Sequence, residues 1–211
     1  MKKNIEPLQP DTFYHIYNRG INGENIFKEE RNYSYFLQKY AQFVEPVAQT
    51  YAYCLLRNHF HLLVRTKPES EIRKEAFLQK EGFLEKKHED KSIEWILSNA
   101  FASFFKSYAI SINKAHKRTG ALFEEPFLRK EVNSYQYFTS VLAYVHQNAQ
   151  HHGFVKDFRD YPHSSYQSFL LAKTTRLQKA YVLDWFGGVD AYQGFHSGMA
   201  IIDESWVIEL D

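Results

Sequence analysis

Apolar and polar positions change period several times along the chain, and each change predicts an element. FYHIYNRG (Phe13–Gly20) is rich in aromatic and β-branched residues and stops at Asn-Arg-Gly, so a strand running into a loop is expected. In NYSYFLQKYAQFV the apolar residues Tyr33, Phe36, Leu37, Tyr40 and Val44 recur at three- and four-residue steps, which predicts a helix. AQTYAYCLLRNHFHLLVRT reads as two strands joined by a tight turn around Arg57-Asn58. Lys67 to Lys91 is a mixed-charge run with Pro68 near its start, expected to be an exposed connector with some helix. SIEWILSNAFASFFKSYAISINKAHKRTG is a long amphipathic helix with Leu97, Phe101, Phe104, Tyr108 and Ile112 as its stripe and Gly120 beyond its end. ALFEEPFLRKEV (Ala121–Val132) returns as one strand or as a hairpin interrupted at Pro126. NSYQYFTSVLAYVHQNAQHHG is a second strong helix, with Asn133 or Ser134 as N-cap and Gly153 as the stop signal. From Asp157 onward a YPHSSY turn leads into short helices interrupted by Gly187-Gly188 and Gly194.

The order β-α-β-β-α-β-α fits no all-parallel sheet. It predicts an α+β fold of the ferredoxin-like, split-βαβ kind: an antiparallel sheet with helices packed on one face, plus short C-terminal helices. The 211 residues suit one ordinary domain, and 44% hydrophobic and 17% aromatic residues are enough to build a core. A net charge of +1 excludes a general polycation, so any nucleic-acid surface has to be a local patch. The single cysteine, Cys54, excludes an internal disulfide and a multi-cysteine zinc site; between Tyr53 and Leu55 it is expected to be a small buried hydrophobe. With no signal-peptide-like or bilayer-spanning run, a cytoplasmic protein is expected.

Candidate chemistry starts at RNHFHLLVR. In an extended chain His59 and His61 leave from one face while Phe60 is anchored behind it. Two neutral imidazoles side by side suit a divalent cation or a shared phosphate oxygen, although two histidines hydrogen-bonded within a sheet share the same spacing. A reactive site needs another donor and a nucleophile. Tyr144 and Asn148 lie four residues apart on the second strong helix and so share a face. The corresponding partners of Tyr108, Tyr137 and Tyr40 are Ile112, Val141 and Val44, none of which can bind a metal. Tyr192 with His196 has suitable chemistry, but Gly194 between them weakens a helix there. Lys106, Lys114, Lys117, Arg118, Arg129 and Lys130 gather around the end of the long helix and the following strand, fitting either phosphate contacts or a solvated helix end. Asn18 and Arg19 after the first strand are further candidates for DNA contact, and His15 leaves its strand opposite Tyr14 and Ile16.

YHIYNRG, YAYCLLRNHFHLLV, HKRTGALFEEPFLRKEV, AYVHQNAQHHGFV, YPHSSY and DWFGGVDAYQGF, in this order, resemble the REP-associated tyrosine transposases of the single-tyrosine HUH superfamily. The resemblance runs from about Tyr14 to about Phe195. It implies that His59 and His61 are metal ligands of the His-hydrophobic-His motif, Tyr144 the nucleophile and Asn148 the polar metal ligand. Family members usually read Asn-Pro after that helix position, whereas Ala149 follows Asn148 here; a helix-ending proline is lost and the chemistry is untouched. The implied division is an N-terminal tail (1–12), a nuclease domain (13–156) and a C-terminal helical extension packed on it (157–211). The implied activity is Mg²⁺- or Mn²⁺-assisted cleavage and transfer of single-stranded, hairpin-flanked DNA through a 5′-phosphotyrosine. The rival reading is a domesticated, non-catalytic hairpin-DNA-binding protein. The resemblance allows either a monomer or a homodimer, in a bacterial cytoplasm and on the nucleoid when bound to DNA.

Overall fold

The computed structural model describes residues 6–78 and 90–198. Strands β1 (Phe13–Arg19), β2 (Ala48–Leu55), β3 (His59–Thr66) and β4 (Leu128–Glu131) form one antiparallel sheet in the order β2-β3-β1-β4. Helix α1 (Arg31–Phe43) joins β1 to β2, and α2 (Glu69–Leu78) and α3 (Ile93–Ala115) follow β3. After β4 come α4 (Tyr135–His151), α5 (Tyr166–Leu170), α6 (Lys179–Phe186) and α7 (Val189–Gly198). The α+β class and the antiparallel sheet are those the sequence predicts.

Alternation along the strands decides which helix covers which face. Tyr14 and Ile16 of β1 and Phe60, Leu62 and Val64 of β3 join α1 and α3 in one core, where the whole predicted α3 stripe is buried. Tyr17 of β1, Tyr51 and Cys54 of β2 and Leu63 of β3 point the other way, into a second core with α4 and the C-terminal helices. Helices therefore cover both faces, where one covered face was expected. The reason is that α4 carries its own apolar stripe, Val141, Leu142 and Val145, after α1 and α3 have filled the first face. Burial raises the pKa of the Cys54 thiol and keeps it protonated, as suits a packing residue.

Local signals explain most boundaries. The Ser134 hydroxyl accepts the Tyr137 N–H at 3.2 Å and caps α4, while Gly153 takes a φ of +70° just past its end, a conformation costly for residues with a Cβ. Of the two forms open to Ala121–Val132, the single strand is found, and only over Leu128–Glu131; Pro126 has no N–H for a ladder. Helix α7 runs unbroken through Gly194, where an interruption was expected. Burial of Tyr192 and His196 in the second core outweighs the roughly 1 kcal/mol penalty of a helical glycine. Within the mixed-charge run the helical part is α2; residues 79–89 lie outside the described part, as do 1–5 and 199–211. No helix among the described residues is long and apolar enough to cross a membrane.

Candidate active site

The period-two reading of HFH is realised in β3: Phe60 sits in the α1/α3 core, and His59 and His61 emerge toward α4. Helix α4 presents Tyr144 and Asn148, one turn apart, to that same face. The Tyr144 ring meets His61 edge-on at 5.4 Å between centroids and His15 at 5.9 Å. Asn148 Oδ1 stands 3.3 Å from His59 Nε2. All four side chains are buried; His59, at 9% exposure, is the most accessible of them. The four residues singled out in the sequence thus converge at one place.

The imidazoles there are kept neutral. Burial pushes His59 down to about 4, helped by His152, with Arg19 adding to the effect and the Asn148 contact opposing it. His61 is held well below the usual histidine range by burial, and then by His15, His59 and His152. Burial, reinforced by Lys130, takes His15 down to about 3. Neutral rings with free lone pairs are the form a metal requires.

Hydrogen-bond accounting tests whether a cation fits. His59 Nδ1 lies 2.8 Å from Asn58 Oδ1 and Nε2 lies 3.3 Å from Asn148 Oδ1; a neutral ring donates to only one of these oxygens, and a proton on Nδ1, the shorter contact, leaves the Nε2 lone pair facing Asn148. His61 Nε2 and Asn148 Nδ2 are buried without a hydrogen-bond partner. The 3.3 Å between His59 Nε2 and Asn148 Oδ1 is close to the ~3 Å separating adjacent ligands of an octahedron with ~2.1 Å bonds. Among the described residues no three His, Cys, Asp or Glu side chains gather into a metal site, and the further oxygen that lies against His59 Nε2 is that of the Asn148 amide. Two imidazoles and that oxygen form a donor set that fits a divalent ion.

No protein-family model matches the chain, and no curated protein does. A solved structure described as the REP associates tyrosine transposase bound to a REP hairpin superposes with a TM-score of 0.57. The match covers 81% of this chain and 85% of that one, at 12% sequence identity. The two chains share a fold.

Within this fold the basic candidates divide. Asn18, Arg19, Lys106 and Arg129 line one groove of about 1280 Å³ between α3, the end of β1 and the 120–127 loop. Arg19 is already paired with Glu124 at 2.8 Å, and Asn18 donates to the Glu124 carbonyl. Arg129 lies over the Phe127 ring, 4.6 Å from its centre, with Nε and Nη1 buried and unpaired. Arg118 is tied to Glu24 and Asn113, both at 2.6 Å. Lys114 and Lys117 are exposed outside the groove, and Lys130 lies over the Tyr137 ring on β4.

Sequence reasoning passed over two residues beside the site. Tyr17 stacks on His61 at 5.9 Å and lies tilted against His15 at 5.1 Å, and the exposed His152 meets His59 at 4.7 Å. Their signals were available: Tyr17 lies two residues from His15 on a strand, and His152 one turn beyond Asn148.

Proposed function

We propose that the chain is a REP-associated tyrosine transposase, a single-stranded DNA endonuclease and strand transferase acting on hairpin-flanked DNA. The observation that carries this reading is the meeting of Tyr144 with His61, and of Asn148 with His59, on one face of a transposase-like sheet. A phenol with an ordinary pKa near ~10 is a weak nucleophile at neutral pH, so alignment and charge neutralisation at the phosphate must make up the difference.

In this reading the Tyr144 oxygen attacks the scissile phosphorus and the bond to the 3′ oxygen breaks. The phenolic proton is lost, and the departing oxygen takes up a proton as a free 3′-hydroxyl. The phosphate stays a diester, now to tyrosine on the 5′ side of the break, so a second 3′-hydroxyl can reverse the step and join strands. His59, His61 and Asn148 would hold Mg²⁺ or Mn²⁺, which when bound supplies positive charge for the non-bridging oxygens. The chain's own part is to hold these lone pairs and the phenol together in a site kept largely dry by α4. Lys106 and Arg129 supply phosphate contacts in the groove, with Asn18 and Arg19 at its edge.

Incubation of the protein with a library of hairpin-flanked single strands and Mn²⁺ tests this. The expected result is a denaturant-resistant protein–DNA adduct that Tyr144→Phe abolishes together with cleavage. Cleavage that survives Tyr144→Phe identifies a hydrolase in which water attacks. Hairpin binding by the unmodified protein with neither cut nor adduct identifies a binding-only, domesticated protein.

A further inference from the structure

His15 lies against the site without belonging to the donor set. Its strand neighbours Tyr14 and Ile16 face the α1/α3 core, and it projects beside His61 from the opposite face. Leu63 is its direct cross-strand partner and Tyr17 is that of His61, so the two histidines are diagonal neighbours, a spacing ring side chains can bridge. His15 Nε2 lies 3.0 Å from His61 Nδ1, the rings stack at 5.2 Å and 30°, and neither side chain is exposed. Among the described residues the outer nitrogens, His15 Nδ1 and His61 Nε2, have no hydrogen-bond partner, and this contact is the one hydrogen bond of either ring.

One shared hydrogen bond leaves two arrangements. If His15 Nε2–H donates, the neutral His61 ring carries its one proton at Nε2, as a buried N–H without a partner. If His61 Nδ1–H donates, His61 Nε2 is a bare lone pair. Within the two rings the exchange leaves the same number of unmet donors and acceptors. What lies beyond Nε2 therefore decides between them.

We propose that His15 is a positioning residue that accepts the Nδ1–H of His61 and so turns the His61 Nε2 lone pair into the cluster of His59, Asn148 and Tyr144. The use made of that lone pair rests on the proposed function. Without a partner at Nδ1, His61 is free to carry its proton at Nε2 and block the donor position. Tyr17 stacks on His61 and lies tilted against His15, filling the space beside the pair.

The test is Mn²⁺ binding, followed by electron paramagnetic resonance on the full chain, for the unmodified protein, His15→Phe and His15→Gln, with circular dichroism to confirm folding. His15→Phe should weaken binding about 10–100-fold. His15→Gln should stay within a few-fold of the unmodified protein, because its amide oxygen can accept the same N–H. In the Mg²⁺-loaded protein, ¹⁵N shifts should place the His61 proton at Nδ1, a readout that needs no variant to fold. Equal binding by His15→Phe, an equal loss in both variants, or a His61 proton at Nε2 overturns this inference and leaves the proposed function standing. A chain that binds neither ion overturns both.

Discussion

Mild acid should destabilise this protein through its buried imidazoles. His15 is held at about 3, His59 at about 4 and His196 at about 4, against an ordinary histidine value of 6.5. His61 and His146 are lowered too, all chiefly by burial. The unfolded chain accepts protons that the folded chain rejects. The stabilisation is therefore complete above about pH 6.5 and is lost as the pH falls toward the folded values. At pH 5, one and a half units below the unfolded value, each of the first three sites costs about 2 kcal/mol. Together they remove about 6 kcal/mol, which rivals the ~5–15 kcal/mol that holds a typical domain. Urea unfolding followed by circular dichroism between about pH 7.5 and pH 5 measures the loss. His196→Asn isolates one site: the side chain is fully buried, bonded to His146 at 2.9 Å and to the Tyr192 carbonyl at 2.8 Å. The variant should be less stable at neutral pH, yet lose about 2 kcal/mol less than the unmodified protein on going to pH 5. A flat stability profile over that range, or an unchanged pH slope in His196→Asn, would mean that burial does not hold these imidazoles neutral.

Asn148→Ala should lower Mn²⁺ affinity tenfold or more in the same resonance titration, because it deletes one of three donors and leaves the imidazoles in place. Isothermal titration should find Mn²⁺ bound more tightly than Mg²⁺, since imidazole donors suit a transition ion better than the hard oxygen-seeking one. Arg129→Ala should weaken hairpin DNA alike across sequences and reduce the slope of log affinity against log salt by about 1, read by fluorescence anisotropy. Phe104→Ala, at a fully buried position between Phe36 and Tyr40, should cost about 3–5 kcal/mol in urea unfolding.

What could be read from the sequence was what depends on local period. Alternation placed His59 and His61 on one face of a strand, and the four-residue step placed Tyr144 beside Asn148 on a helix. Both readings survive because each concerns neighbours within one element. What could not be read depends on register and on charges distant in sequence. The His15–His61 contact exists because β1 and β3 pair with Tyr17 opposite His61, and no single segment carries that information. That Arg19 and Arg118, candidates for DNA contact in the sequence, pair with Glu124 and Glu24, 105 and 94 residues away, is also carried by no single segment. The placement of α4 on the second sheet face likewise follows from competition between helices for apolar surface, which only the assembled core decides.

The two margins of the sheet also constrain how copies of this chain could meet. Beyond β2, the outer backbone groups are already taken: Leu55 N–H donates to the His163 carbonyl, Ser165 N–H to Tyr53 and Gln178 N–H to Thr50. Beyond β4, four residues long and reading Leu-Arg-Lys-Glu, charged side chains guard a very short rim. Among the described residues, neither border of the sheet is suited to pairing with an incoming strand from a neighbour.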